Sequence, residues 1–370
     1  MQPSDNIAIR LATIADGPRC NAFYNAAYGT RRTLDQWTWE FGRAQGPTGN
    51  LPFAIAELDG EVVGTQALIV IDFLDALGVR PTAKSEETLV APSMRGKDLF
   101  GRLYEPLLAY ARDHDIGAIW GFTPARTAFE RLGFQVPTTT AQVICALDAA
   151  AAMRLRPQPA AGRVRSVAER IASLGMATAS RIAESSYRPP TRISLRTEER
   201  APDWADALSH RFIARWGGTT IHRSREYLEW RFFRNPFVQS EFVAAYAGDV
   251  PVGYVCVGPT AEGVTALLDA FVADAEDSPI TASQIITSLL KEVMTRARAN
   301  GSSAIRGWAG VTDHAFDRAL KSAARRLGWI TVRQGNPMIA MLLSSVGGRR
   351  QVPPVRDWYI SRAFTEGSGG

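Results

Sequence analysis

The chain repeats its own landmarks, and that repeat confines it to folds built from two copies of one unit. Trp39-Glu40-Phe41, followed by Gly46-Pro47, returns as Trp230-Arg231-Phe232, followed by Asn235-Pro236, at an offset of 191. The segment from Phe53 to Gly64 returns from Phe242 to Gly253 at an offset of 189, and Arg131-Leu132-Gly133-Phe134 returns as Arg326-Leu327-Gly328-Trp329 at 195. Matches in one order at a nearly constant offset mark a duplicated structural unit. At 370 residues the chain has room for two domains of ordinary size and a connection. The expected division is a first copy over 1–148, a connecting segment over 149–200, a second copy over 201–346 and a tail over 347–370.

Hydrophobic periodicity gives each copy its elements. In the first, residues 7–11 alternate as a strand and 16–41 carry a helical pattern. Residues 53–58 and 62–71 form a hairpin around Asp59-Gly60. Then come a strand over 86–91, a helix over 99–113, a strand over 117–122, a helix over 126–132 stopped by Gly133, and closing strand character over 134–147. The second copy repeats the later part: hairpin 242–257, strand 265–272, helix 282–299, strand 303–308, helix 315–327, strand 338–343. The predicted class is α+β on a mixed sheet, in two tandem domains.

Charge separates the connection from the copies. The formal net charge is +5, yet residues 151–200 alone hold ten Arg against four Glu, so the rest of the chain is close to neutral. Within that segment Val164, Val167, Ile171, Leu174, Thr178 and Ile182 fall on one helical face, bracketed by Pro157, Pro159, Pro189 and Pro190. Two readings of this basic amphipathic helix stay open. One is peripheral contact through residues 154–196 with an anionic membrane surface, and the other is a linker helix packed on a domain. Apart from Tyr187 the segment lacks interleaved aromatics, which argues against a nucleic-acid partner.

A hydrophobic fraction of 46% and a charged fraction of 21% exclude a disordered chain. The longest apolar runs, such as Ala67 to Ile71, are far shorter than the roughly 18 residues that span a bilayer. The first ten residues do not read as a secretory leader. Cys20, Cys145 and Cys256 lack disulfide or metal spacing, so the expectation is a metal-free protein of a reducing cytoplasm, with contact at the inner membrane face where the basic helix serves it.

The hairpin ending in Val63-Gly64, the run Leu89-Val90-Ala91-Pro92-Ser93-Met94-Arg95-Gly96-Lys97-Asp98-Leu99-Phe100 and the closing Phe129-Glu-Arg-Leu-Gly133-Phe134 resemble the GCN5-related N-acetyltransferase (GNAT) superfamily. The resemblance covers residues 7–147. It implies an acyl-CoA N-acyltransferase fold and a coenzyme A thioester, acetyl-CoA or a longer acyl-CoA, as cosubstrate. It carries the cofactor-binding role to Leu89, Val90, Arg95, Gly96, Lys97, Asp98, Leu99 and Phe129, with the pyrophosphate on backbone N–H groups at a helix N-terminus and the Val90 backbone polarising the carbonyl. The match is partial, because Asp98 and Phe100 replace the motif glycines, and Phe129 stands where the family's usual acid is a Tyr. Asp98 is expected to turn away and cap the helix. Tyr104 is a distant substitute for the missing acid, read rather as a packing residue.

The family's usual base is a carboxylate on the fourth strand, which leaves Glu86 and Glu87 as the catalytic candidates. Strand alternation predicts that one faces the acceptor and the other faces away, and Glu87 is the favoured one. The second copy has the acidic Asp274-Ala-Glu276-Asp277-Ser-Pro279 where the cofactor turn would be and is expected to hold no cofactor. Trp230, Arg231, Phe232, Asn235 and Pro236 resemble a Trp-Arg-aromatic then Asn-Pro signature of bacterial envelope acyltransferases; Trp39, Trp230, Arg231 and Asn235 are the acceptor-binding candidates, with core packing the better reading for Trp230 and Phe232. The expected function is transfer of an acyl group to a primary amine, a small molecule or lipid of the cell envelope, leaning to a sphingoid base. The alternatives are an amino-sugar nucleotide acceptor and an inactive acyl-CoA-binding scaffold.

Overall fold

In a computed structural model of the chain, the structure describes residues 7–44, 46, 49–148, 175, 177–260, 263–274, 280–332, 335–343 and 352–365. The first half forms β1 (Ala8–Thr13), α1 (Gly17–Tyr28), α2 (Leu34–Phe41), β2 (Asn50–Leu58), β3 (Glu61–Asp75), β4 (Gly78–Val90), α3 (Leu99–Asp113), β5 (Ala118–Phe122), α4 (Arg126–Arg131), β6 (Gln135–Thr139) and β7 (Gln142–Ala146). The second half forms β8 (Ile193–Glu198), α5 (Ala205–Trp216), β9 (Thr219–Ile221), α6 (Arg225–Leu228), β10 (Glu241–Ala247), β11 (Val250–Pro259), β12 (Thr265–Val272), α7 (Ala282–Ala299), β13 (Ala304–Trp308), α8 (Ala315–Arg326), β14 (Ile330–Val332) and β15 (Pro337–Leu342).

Local chemistry explains the boundaries. Gly29, at a left-handed φ of 64°, closes α1, and Thr33 starts α2 with a capping box: its hydroxyl accepts from the Gln36 N–H at 3.2 Å while Gln36 Oε1 accepts from the Thr33 N–H at 2.9 Å. The helical pattern of residues 16–41 is thus two helices. In the β2–β3 hairpin Asp59 and Gly60 both take positive φ, as a tight two-residue turn demands. Gly64 on β3 has no side chain because Leu99 and Leu103 of α3 lie where one would begin, within 3.1–3.2 Å of an added Cβ. Leu99, Leu103, Tyr104 and Leu107 thereby reach the sheet and bury the core of the first unit with Ala54, Ala56 and Leu68.

The described residues fall into two compact units, and each unit borrows a strand. The first takes residues 1–73, 78–138 and 336–354, and the second takes 74–77, 139–335 and 355–370. The first sheet runs β1-β2-β3-β4-β5-β15-β6 and the second runs β8-β10-β11-β12-β13-β7-β14. In each, the strand in sixth place comes from the other half of the sequence: β15 pairs antiparallel with β5, and β7 pairs antiparallel with β13 and β14. The division at 148 and 346 read from the sequence therefore places both closing strands in the wrong copy. Alternation identifies a strand but says nothing of which sheet takes it up.

Two further boundaries shift. The segment 149–200 contains β8, which pairs with β10 as the first strand of the second sheet. Residues 355–364, expected as part of a tail, are core of the second unit, with Trp358, Tyr359, Ile360 and Phe364 fully buried. Most of the predicted basic helix, 149–174, lies outside the described residues. In its described end, 177–186, the face turned to the second unit carries Ser180 and Glu184, which bond to the Ala146 carbonyl at 2.9 Å and to Arg298 at 2.9 Å. Ile182, expected on the apolar packing face, is 61% exposed. No described helix is long and apolar enough to cross a membrane.

Candidate functional site

The site of the first unit grows out of β4. This strand shares a parallel ladder with β5 at only two positions, Ala83 opposite Ile119 and Lys84 opposite Trp120. Beyond them β4 continues to Val90, passes a short turn over Pro92–Met94 and enters α3 through exposed Arg95, Gly96, Lys97 and Asp98. Gly96, at φ 79°, supplies the left-handed step in this turn. The first N–H groups of α3 lack intrahelical acceptors, and the positive end of the helix dipole lies there. Two exposed cations and these N–H groups fit an anionic group such as a pyrophosphate. Leu99 is buried beneath the turn, Leu89 is nearly buried and Val90 is half-buried.

Asp98 occupies the N-cap position of α3 at φ 52°, but its side chain makes no capping bond, contrary to expectation. The carboxylate folds instead over Gly101, where an added Cβ would meet Oδ1 at 2.9 Å. Phe100 and Phe129 belong to an aromatic cluster. Their ring centroids are 5.0 Å apart, and Phe129 also packs edge-on against Tyr104 and Phe134. Phe129 is buried to 2% exposure and belongs to the core. Tyr104 is also buried, its hydroxyl 2.6 Å from Ser85 Oγ, and burial raises its pKa, so it packs as the sequence reading preferred.

The two carboxylates of β4 depart from strand alternation. Glu87 takes a left-handed φ of 56°, rare for a residue with a side chain. Its carboxylate meets the Arg32 guanidinium in a two-pronged pair, at 2.5 and 2.9 Å. Glu86 pairs with the buried Lys84 on the same strand. The left-handed residue interrupts the alternation between them: Glu87 turns in to Arg32 with 2% of its side chain exposed, and 27% of the Glu86 side chain is exposed.

Arg32 organises the cluster. Its Nε donates to Asn21 Oδ1 at 2.8 Å, its guanidinium lies 3.9 Å from the centre of the Tyr24 ring, and Nη1 stands 3.3 Å from Glu40. Burial, then Glu87 and Glu86, push the Glu40 carboxyl up to about 8. Burial also raises Glu87, against the pull of Arg32. The tighter pair to Arg32 lies on Glu87, at 2.5 and 2.9 Å against 3.3 Å for Glu40. Gln66 of β3 completes the site: its amide donates to Ser85 Oγ at 3.1 Å and to the Glu86 carbonyl at 2.9 Å, and its Oε1 accepts from Thr88 at 2.6 Å.

Sequence reasoning missed Arg32, Glu40, Lys84 and Gln66. A signal existed for the first of them, since Arg223 lies at the same offset of 191 that relates Trp39 to Trp230.

Of the acceptor candidates only Trp39 is in the first unit, next to Glu40 on α2. It is half-buried. In the second unit Trp230 packs edge-on near Tyr227. Arg231 is buried, with donors on the carbonyls of Ala363 and Thr365, so it ties down the C-terminal segment. Asn235 shapes a turn, donating to the Arg231 carbonyl at 3.2 Å and accepting from the Phe237 N–H at 2.8 Å. It lines an open groove of about 510 Å³ with Glu198, Phe233 and Gln239. Among the described residues no group of three His, Cys, Asp or Glu side chains is placed to hold a metal.

Residues 19–134 match the acetyltransferase (GNAT) family. No curated protein matches the chain. Among solved structures, a GCN5-related N-acetyltransferase from Kribbella flavida is similar at a TM-score of 0.55 and 14% identity, over 92% of this chain and 72% of that one. A GCN5-related N-acetyltransferase from Anabaena variabilis is similar at 0.57 and 12%, over 91% and 73%. A conserved protein of unknown function from Enterococcus faecalis is similar at 0.58 and 10%, over 91% and 72%. The first unit thus carries a GNAT acetyltransferase domain, an N-acyltransferase by type, on the α+β fold that these structures share with the chain.

Proposed function

We propose that this chain transfers an acyl group from an acyl-CoA to a primary amine of a cell-envelope precursor, at its first unit. The observation that carries the reading is one neighbourhood: the exposed turn Arg95–Asp98 opens α3 at the end of the strand that holds Glu86 and Glu87. Arg95, Lys97 and the N–H groups from Gly96 into α3 would hold the pyrophosphate, and the main chain of Leu89 and Val90 would flank the pantetheine arm. Bound acyl-CoA supplies the thioester carbonyl. The chain itself supplies a carboxylate on β4 to take a proton from the amine, and Arg32, Tyr24 and Gln66 fix that strand.

A lipid amine of the sphingoid type is the favoured acceptor. Support comes from the Arg-rich connection and from its described end, where Ile182 is exposed beside exposed Arg181. On this reading the protein works in the cytoplasm with peripheral contact at the inner membrane through 154–196.

Calorimetric titration with acetyl-CoA and palmitoyl-CoA, repeated on the Arg95→Glu/Lys97→Glu variant, tests the cofactor site. Binding lost in the variant supports it, and absence of binding to either thioester favours the inactive scaffold. Turnover with sphinganine and palmitoyl-CoA supports the lipid acceptor. Turnover only with acetyl-CoA and an amino-sugar nucleotide replaces it.

A further inference from the structure

The two copies correspond residue for residue along the strand that bears the carboxylates. The two-residue ladder of β4 and β5 recurs between β12 and β13, with Thr265 opposite Ile305 and Ala266 opposite Arg306. At the far end, the Ala91 N–H donates to the Val63 carbonyl at 2.9 Å, and the Ala273 N–H donates to the Val252 carbonyl at 2.9 Å. Both ends give an offset of 182. The hairpins correspond at 189, since Phe53 faces Ala67 as Phe242 faces Cys256.

On this mapping Glu87 corresponds to Asp269, and at the helical offset of 191 Arg32 corresponds to Arg223. The second unit makes the same pair. Arg223 donates to Asp269 at 2.8 and 3.1 Å, both side chains fully buried, and each arginine immediately precedes the residue that caps a helix, Thr33 or Ser224. Tyr254 and Ser361 saturate Asp269, each at 2.7 Å.

Five further polar residues of the first site have no polar counterpart. Lys84, Ser85, Glu86, Thr88 and Gln66 correspond to Ala266, Leu267, Leu268, Ala270 and Val255, all apolar and buried. The copy without these residues is also the copy with an acidic segment in place of the cofactor turn. The left-handed backbone differs too: Glu87 has it, whereas Asp269 lies in the β11–β12 ladder opposite Cys256. An arginine–carboxylate pair kept by both copies serves the fold that both share, while polar groups confined to the copy with the turn serve what that copy alone does.

We infer that Glu86, and not Glu87, takes the proton of the incoming amine, with Lys84 as its positioning residue and the Arg32–Glu87 pair as a pin of the fold. This rests on the acyltransferase reading. Accessibility agrees: the Glu87 side chain is 2% exposed with both oxygens on Arg32, and that of Glu86 is 27% exposed. One proton of the ammonium passes to Glu86 and on to solvent. The N–C bond forms as the C–S bond breaks, and the second proton of the nitrogen ends on the sulfur.

The test compares Glu86→Gln, Glu87→Gln, Lys84→Met and Lys84→Arg in the full chain, by thermal melting and by thiol release from acetyl-CoA with n-butylamine. Glu86→Gln should lower kcat by about 100-fold with acetyl-CoA affinity unchanged, read at a temperature where the variant is folded, because it also leaves the buried Lys84 without its anion. Glu87→Gln should lower the midpoint by about 5 °C or more and retain kcat at a temperature where it is folded. Lys84→Met should lower kcat about tenfold, and Lys84→Arg should restore it. Native rates in folded Glu86→Gln, or a hundredfold loss in folded Glu87→Gln with its midpoint unchanged, overturns the assignment. A native chain that neither binds acetyl-CoA nor releases thiol overturns the acyltransferase reading itself, and Glu86 loses its role with it.

Discussion

Ala340 of β15 lies opposite Trp120 of β5 in the sheet of the first unit, although the two residues come from different halves of the chain. Trp120 is fully buried there, its indole N–H donating to Thr82 Oγ1 at 3.0 Å. The core of the site-bearing unit therefore depends on a strand that follows the whole second copy. Val143 of β7 repays this in the other sheet, where it lies between Gly307 and Thr331.

A fragment ending at residue 148 should consequently fail to fold. It would leave β5 and β6 without the strand that joins them and would present unpaired edges, which promote aggregation. Expression of 1–148 should give insoluble material or a chain with no cooperative melting transition by circular dichroism. Residues 1–138 joined by a flexible linker to 336–354 should melt cooperatively. A cooperative transition in 1–148 alone would show that β15 is dispensable.

Glu40 makes the stability of the first unit depend on pH. Its carboxyl is pushed up to about 8 in the folded chain, against an ordinary value near 4.5. Between those values the folded state holds a proton that the unfolded chain has released, so folding is favoured at the acid end and stability declines as pH rises through that window. The melting midpoint should fall from about pH 5 to pH 8. Glu40→Gln, which fixes the protonated shape, should flatten the decline and raise the midpoint at pH 8. An equally steep decline in Glu40→Gln would place its source elsewhere.

Element types were legible because alternation and helical spacing are local. The hairpins, α3, α7 and the closing strands all lie where the periodicity predicts them. The exchange of β7 and β15 was not legible, because a strand's pattern encodes its faces and not its neighbours. Strand β8 was hidden in a segment that the arginines marked as a connection. The exposed turn that enters α3, proposed above to hold the cofactor, was readable from Arg95, Gly96 and Lys97, whose chemistry is carried by the main chain and by exposed charge. The arrangement of Glu86 and Glu87 was not, since nothing in a glutamate announces a left-handed backbone. Arg32 and Arg223 were readable in principle by extending the repeat by seven residues from Trp39 and Trp230. The role of Lys84 needed the ladder, which alone sets it beside Ala266 of the other copy.

The matched glycines of the two hairpins should respond differently to a methyl group. At Gly64 an added Cβ meets the ends of Leu99 and Leu103, flexible side chains that can give way. At Gly253, the same position in the repeat, it meets the Phe271 carbonyl oxygen at 2.7 Å and the Val272 Cα at 3.0 Å, which cannot. Gly64→Ala should cost about 1 kcal/mol or less and Gly253→Ala about 2–3 kcal/mol, by the usual penalty for overpacking. Chemical denaturation of both variants reads the difference, and equal costs would show that the main chain at Phe271 and Val272 yields as readily as the side chains of Leu99 and Leu103.

Asp98 places a carboxylate beside the turn proposed to receive a pyrophosphate, and it does so without the compensation of a cap. Its backbone φ of 52° is one that glycine adopts at no steric cost. Since its side chain makes no capping bond to the first turn of α3, replacement forfeits no hydrogen bond to the helix. Asp98→Gly should leave the fold at least as stable and tighten acetyl-CoA binding by about two- to fivefold at low ionic strength, the size of a single exposed charge near a helix N-terminus. The gain should shrink as salt is raised, because the Debye length falls to about 10 Å at 0.1 M. Calorimetric titration at two salt concentrations reads both effects. Weaker binding in the glycine variant would show that the Asp98 carboxylate contributes to the cofactor site and does not oppose it.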